Sequence, residues 1–303
     1  MVLPHERCAT TVRPPDHAKL PFPVPCSRFP PLDNLLAALL LGIIEGVTEF
    51  LPISSTGHLL IAERWLGARS DLFNIAIQAG AILAVVLIYW PRLWGLAMSF
   101  LEPDASSVYG QAPRDYAWKL ALAFAVTSVL GIVVKKLGWE LDDAVAPIAW
   151  ALVLGGAWML LAEHFAARRA QALGERSHIT WTVAVLVGVA QVVAGVFPGT
   201  SRSAATIFVA LLFGVTNRAA ATEFAFLVGI PTMFAASGYE FAELVAEGGV
   251  HGEDWAALAV AFVASAVTAF ASVKWLLRYI QSHRFTPFAF YRFAVGAALL
   301  LLV

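Results

Sequence analysis

Two glutamates four residues apart, Glu45 and Glu49, open a run that continues Pro52-Ile-Ser54-Ser55-Thr56-Gly57-His58. A spacing of four puts both carboxylates on one face of a helix. In apolar surroundings such acids repel each other and lose hydration. A shared proton or a divalent cation between them removes that cost. Mg2+ and Ca2+ take oxygen ligands and bridge readily to phosphate oxygens, so Glu45 and Glu49 are candidate metal ligands as well as candidate acid–base groups. The plainer alternative is a protonated pair that hydrogen-bonds between helices. Ser54, Ser55 and Thr56 place hydroxyls near the imidazole of His58, an arrangement suited to activating a nucleophile. Gly57 frees the backbone there, so that amides can face an anion. Hydroxyls also bond helix carbonyls and a lone histidine can be core, so the string as a whole carries the inference.

A second polar run lies far downstream, Pro198-Gly199-Thr200-Ser201-Arg202-Ser203. An arginine in an apolar stretch needs an anionic partner, and its planar fork of donors suits phosphate. The Pro-Gly break before it predicts a loop that opens a helix N-terminus, where anions are favoured. The competing reading is a salt bridge from Arg202 to Glu45 or Glu49 with no ligand. Gly199, Thr200, Ser201, Arg202 and Ser203, together with Ser54 and Thr56, are the candidate substrate-binding residues.

The elements that must position these groups are hydrophobic. Of the 303 residues 59% are hydrophobic and 14% charged, against about a quarter charged in soluble domains, so lipid must be the solvent for much of the surface. A net charge of -1 excludes the basic excess of a nucleic-acid binder. Cys8 and Cys26 make neither a disulfide framework nor a metal pattern. Residues 1–33 read as a polar, Pro-rich, disordered arm, and 34–303 as one polytopic membrane domain. A span needs about 20 apolar residues, which predicts six crossings, at 73–97, 117–137, 144–166, 222–245, 256–278 and 286–303. Residues 34–65 and 181–213 are broken by the polar strings above. Backbone broken at membrane depth must be satisfied by protein or a water-filled cavity, so both stretches are predicted as re-entrant helix pairs. The expected fold is all-α, about ten helices.

The two broken stretches resemble each other. Gly42, Glu45, Pro52 and Ser54-Ser55 fall in register with Gly188, Gln191, Pro198 and Thr200-Ser201, which makes Gln191 a further substrate-binding candidate. Inverted repeats with broken helices place their site where the copies meet, near the midplane. The loop 167–180 carries Arg168, Arg169 and Arg176, and the loop 239–254 carries only acids. The positive-inside rule puts the first in the cytoplasm and the second outside. Lys135 and Lys136, at an outer end in this scheme, run against the trend. Glu63 and Glu163 read as interfacial charges near helix ends, Glu223 as a helix-start charge, and Gln78 as facing the cavity.

Glu45-Gly-Val-Thr-Glu49-Phe-Leu-Pro-Ile-Ser-Ser-Thr-Gly-His58, followed by Pro198-Gly-Thr-Ser-Arg-Ser203, resembles the bacterial undecaprenyl-diphosphate phosphatase family of the bacitracin-resistance type, from about residue 34 to the C-terminus. Ala204 stands where the family usually has Gly. The resemblance implies hydrolysis of undecaprenyl diphosphate to undecaprenyl phosphate, which recycles the lipid carrier for cell-wall polymers and confers bacitracin resistance. It implies a divalent cation, a multi-pass place in the bacterial inner membrane, and an active site opening to the periplasmic side. It also implies ten helices with two re-entrant pairs in inverted repeats. Glu45, Glu49, Ser55, His58 and Arg202 are then the catalytic set. Ser55 attacks with His58 as base, or water attacks with His58 or Glu49 as base. A transporter of a phosphorylated polyprenyl lipid is the alternative, and a homodimer is left open.

Overall fold

The computed structural model describes residues 33–101, 107–138, 145–248 and 252–302; the N-terminal arm up to residue 32, with both cysteines, lies outside them. Among the described residues every helix or strand of more than an isolated bridge is helical. The order is α1 (Asn34–Thr48), α2 (Ser55–Leu66), α3 (Asp71–Met98), α4 (Pro113–Lys136), α5 (Val145–Leu173), α6 (Trp181–Val196), α7 (Arg202–Phe213), α8 (Arg218–Ala246), α9 (Trp255–Ser282) and α10 (Thr286–Leu302).

Helices α3, α4, α5, α8 and α9 are each long and apolar enough to cross a bilayer. Apolar side chains face outward from them: Leu87 is 57%, Val129 61% and Leu154 64% exposed. Such a surface is stable only against lipid, and the chain is a multi-pass membrane protein. The sixth expected span, α10, is shorter. Its 17 residues reach about 25 Å, and it runs antiparallel along the first half of α5, where Ala289 meets Gly156 and Ala149 meets Gly296. The arms of the broken stretches have 15, 12, 16 and 12 residues. At about 1.5 Å per residue none matches a 30 Å hydrocarbon core.

The two broken pairs hang from opposite ends. At one end Asn34 Nδ2 donates to Asp254 Oδ2 at 2.5 Å, and Arg69 donates to Asn34. At the other, the Arg176 N–H donates to Thr216 Oγ1 at 2.7 Å, and Arg169 donates to the Leu212 carbonyl. Three long helices, α3 to α5, separate the pairs, and an odd number of crossings inverts the second copy. Packing repeats accordingly. Helix α1 lies on α9 and α6 on α4, while α3 lies on α8 and α5 on α10. Exchanging α1–α5 with α6–α10 maps these contacts onto one another. A Cβ on Gly42 would overlap the Ala261 carbonyl of α9, and one on Gly188 the Ala123 carbonyl of α4. The same repeat position lets two backbones touch in both copies, the small-residue device of membrane helices.

At the end that carries Lys135 and Lys136, Lys135 Nζ pairs with Glu243 Oε2 at 2.9 Å; the two lysines still run against the positive-inside trend. That end carries Asp71, Glu240, Glu243, Glu247 and Asp254 beside Arg69, Lys135 and Lys136. The opposite end carries Arg92, Arg114, Arg169, Arg176 and Arg218 beside Asp115, Glu163, Glu175 and Glu223.

Candidate active site

Helix α1 ends because Glu49, its C-cap, leads into the turn Phe50–Ile53. Phe50, Leu51 and Ile53 are buried in the main core. Phe50 meets Phe226 edge-on, with ring centroids 5.3 Å apart. The turn is thus held by its apolar residues, which leaves its polar ones free to face inward. Ser54 then takes φ 72°, and α2 starts at Ser55. A non-glycine residue in this region costs about 1–3 kcal/mol and persists only where its surroundings fix it. Ser55 Oγ donates to Glu49 Oε2 at 2.5 Å, at the short end for a charge-assisted bond. Glu45, one turn earlier, is 3% exposed, and its Oε2 has no hydrogen-bond partner.

The second elbow repeats the geometry. Ser201 takes φ 68° and caps α7, which begins at Arg202 as the Pro-Gly break predicts. Gly199 has φ +92°, and a Cβ on it would meet the Ile148 carbonyl at 2.8 Å, so only glycine fits. The Thr200 N–H closes the turn on the Phe197 carbonyl at 3.1 Å. Ser201 Oγ lies 3.1 Å from Ser203 Oγ, and Ser203 Oγ donates to the Leu51 carbonyl at 3.1 Å. That last bond joins the two elbows directly. Ser201 and Ser203 are therefore spent on the elbows' own geometry.

A cavity of about 550 Å³ opens beside the first elbow, lined by Glu45, Ser55, Thr56, Glu63, Asn74 and Gln78, with Asp71, Glu240, Glu243 and Glu247 toward its mouth. The charges acting on Glu45 are those of Glu49, Arg202 and Glu63, and Arg202 acts on Glu240 as well. The arginine of one elbow thus lies within electrostatic reach of Glu45 on the other. Among the described residues Arg202 forms no ion pair, so it is not consumed by a salt bridge to Glu45 or Glu49. The free buried oxygen of Glu45 beside Glu49 suits a hard divalent cation. No three His, Cys, Asp or Glu side chains gather at one point among the described residues. A cation on Glu45 and Glu49 would complete its shell with water, hydroxyl or phosphate oxygens, as Mg2+ commonly does.

The model of the family described as "Bacitracin resistance protein BacA" matches residues 38–298, both elbows included. The chain belongs to the BacA family. It is 64% identical over 267 residues to a protein of Rhizobium etli (strain CIAT 652) named undecaprenyl-diphosphatase, covering 88% of this chain and 96% of that one. It is 60% identical over 270 residues to a protein of the same name from Xanthomonas axonopodis pv. citri (strain 306), covering 89% and 97%.

Within this BacA-family chain the Ser203–Leu51 bond holds the first elbow, which carries Glu45, Glu49, Ser54, Ser55 and Thr56, against the second, which carries Gly199, Thr200, Ser201, Arg202 and Ser203; of these residues Glu45, Ser55 and Thr56 line the cavity. His58 is close but turned elsewhere. Its Nδ1 lies 2.7 Å from the Ser54 carbonyl and its Nε2 2.8 Å from Tyr291 Oη, so Ser55 has Glu49, and not His58, as its proton acceptor. Gln191 is taken up in helix packing: its Nε2 donates to Thr127 Oγ1 at 3.3 Å, and its Oε1 accepts from Thr232 Oγ1 at 2.8 Å.

Three glutamates depart from their sequence reading. Glu63 lines the cavity. Glu163 is buried and paired with Arg218. Glu223 is buried, bound to Arg92 Nε at 2.8 Å and to Tyr109 Oη at 3.0 Å. For Glu163 and Glu223 a partner from a distant helix replaces the solvent that the helix-end position suggested, and for Glu63 the cavity does. Gln78 lines the cavity as expected, its Oε1 accepting from Ser237. Sequence reasoning missed Tyr291 and Arg292. A lone arginine inside the apolar α10 was the signal, by the same rule that singled out Arg202.

Proposed function

We propose that this chain hydrolyses undecaprenyl diphosphate to undecaprenyl phosphate and inorganic phosphate, recycling the carrier for cell-wall polymers and thereby conferring resistance to bacitracin. The observation that carries the reading is the Ser55–Glu49 hydrogen bond, set in a cavity that also holds the free carboxylate oxygen of Glu45 and the field of Arg202. The polyprenyl tail stays in lipid, where each methylene gains about 0.8 kcal/mol over water, and only the headgroup needs protein recognition.

Glu49 takes the proton of Ser55 as that oxygen attacks the terminal phosphorus. The bond to the bridging oxygen breaks, and undecaprenyl phosphate leaves with its electrons. Glu49 passes that proton to the departing phosphate and is ionised again; water then attacks the phosphoserine and gives one proton to Glu49, and as the Oγ–phosphorus bond breaks Glu49 returns that proton to the serine oxygen and inorganic phosphate is released. In the direct route water is the nucleophile, Glu49 is again the base, and Ser55 orients it. Arg202 neutralises charge on the transferring phosphoryl group, the main source of rate in such reactions. A Mg2+ or Ca2+ ion on Glu45 and Glu49 would, when bound, add further neutralisation of the diphosphate oxygens.

The cavity mouth lies at the acidic end of the molecule. By the positive-inside rule that end faces the periplasm and the arginine-rich end the cytoplasm of a bacterial inner membrane. The deciding experiment is phosphate release from undecaprenyl diphosphate by purified protein in detergent. A hydrolase releases phosphate there, whereas a transporter does not, because a micelle has no second compartment. A labelled phosphoenzyme, lost in Ser55→Ala, selects the covalent route; full turnover by Ser55→Ala excludes it.

A further inference from the structure

Successive residues of a helix point about 100° apart, so Tyr291 and Arg292 leave α10 in different directions, and each ends on a different elbow. The Tyr291 ring lies parallel to the His58 imidazole, with 3° between the planes and centroids 5.5 Å apart. The Ser54 carbonyl, 2.7 Å from His58 Nδ1, can only accept a hydrogen bond. In the neutral ring Nδ1 therefore carries the proton, and Tyr291 Oη donates to Nε2 at 2.8 Å. Arg292 reaches the other elbow. Its Nη2 donates to the Gly199 carbonyl at 3.0 Å and to the Ala151 carbonyl at 3.1 Å, and its Nε to the Leu152 carbonyl at 3.3 Å.

Arg292 is 0% exposed, its Nη1 has no partner, and among the described residues no carboxylate pairs with it. Even its space is reserved, since a Cβ on Gly155 would overlap the guanidinium. Burying an unpaired charge is costly, and an apolar side chain of similar volume would fill the same space with less penalty. What the guanidinium holds is the carbonyl three residues before Arg202.

We propose that Tyr291 and Arg292 are positioning residues that set the two elbows in register, Tyr291 through His58 and Arg292 through Gly199. Glu49–Ser55 and Arg202 then address the same phosphate. The inference rests on the phosphatase reading for its purpose, but its geometry can be measured without turnover. With Cys8 and Cys26 replaced by serine, spin labels go at Ala68, just past α2, and at Phe213, the exposed end of α7. Double electron–electron resonance should give one narrow distance in the parent protein. Arg292→Met should broaden or shift it, and Arg292→Lys, which keeps the charge but lacks the fork, should do so to a lesser degree. Tyr291→Phe keeps the stack and removes only the hydroxyl.

In turnover, Arg292→Met should lower kcat/KM roughly tenfold, the order of one lost hydrogen bond from a charged group, and Tyr291→Phe about fivefold, the order of one lost neutral hydrogen bond. A residue acting through another is silent once that other is changed. Arg292→Met should therefore cost nothing more in an Arg202→Lys background, and Tyr291→Phe nothing more in His58→Gln. Unchanged distances with losses that multiply across these pairs would overturn the proposal. Should Arg292→Met not fold, Arg292→Lys supplies both readouts. Failure of the parent protein to release phosphate would remove the phosphatase reading, and the distance measurement would still decide the register.

Discussion

Glu49→Gln replaces one oxygen by an amide nitrogen at constant volume, and so tests the carboxylate without disturbing packing. The amide oxygen can still accept from Ser55, now 2.5 Å from Glu49 Oε2, but it cannot take the proton. Loss of a general base costs about 10²–10⁴ in rate, or about 2.7–5.4 kcal/mol on the barrier. A cation shared with Glu45 would lose one of its two protein carboxylates at the same time, which places the expected fall in kcat toward the upper end. KM should change by no more than a few-fold, because Arg202 still faces the headgroup. Glu49→Asp keeps the charge and withdraws it by about 1.5 Å, one carbon–carbon bond, and should fall between the two. The assay is phosphate release by purified protein in detergent, with thermal unfolding followed in parallel. A kcat for Glu49→Gln within threefold of the parent would refute the role of base and reduce the Ser55 contact to a helix-end hydrogen bond.

Arg202→Ala should lower kcat/KM about 10²-fold, on the order of 3 kcal/mol for a charge-assisted contact made at the transferring phosphoryl group; steady-state kinetics within threefold of the parent would contradict it. Chelation should stop turnover, and added Mg2+ or Ca2+ should restore it; full activity in excess chelator would remove the cation from Glu45 and Glu49. Gly188→Leu drives a side chain into the Ala123 carbonyl and Val126 and should cost about 1–3 kcal/mol of stability as overpacking, read as a lower melting temperature in detergent. Gly195, with nothing within 4 Å of its added Cβ, should accept leucine with little change. Glu223→Gln should cost about 1–3 kcal/mol of stability once the one-third exposure of Arg92 is allowed for, read as a lower melting temperature, and should leave kcat unchanged.

The breaks at Pro52 and Pro198 and the two polar strings were legible in the sequence because proline and glycine act on their own backbone. The charge contrast between the two ends was legible because each loop is a contiguous run. The partners of Glu163, Glu223 and His58 were not legible. Arg218, Arg92 and Tyr291 come from other helices, and no periodicity within one helix says which neighbour it meets. Gln191 shows the limit of reading by repeat. Its position matches Glu45, but Thr127 and Thr232 flank it, so matching backbones carry different chemistry. Arg292 could have been found, since an unaccompanied guanidinium in an apolar helix is conspicuous, but it holds carbonyls, which leave no trace in residue type.

The bond from Ser203 to the Leu51 carbonyl spans 152 residues of chain, and this bears on biogenesis. The first hairpin is made early, yet its buried Phe50 meets Phe226, and Leu51 meets Ser203, only after the chain has gone back and forth through the bilayer. Contacts so distant in sequence form late, after the entropy of closing the intervening loop has been met. A nascent half-molecule therefore carries every residue of the acidic motif but lacks the second elbow, and α10, made after both elbows, is the helix that contacts each of them.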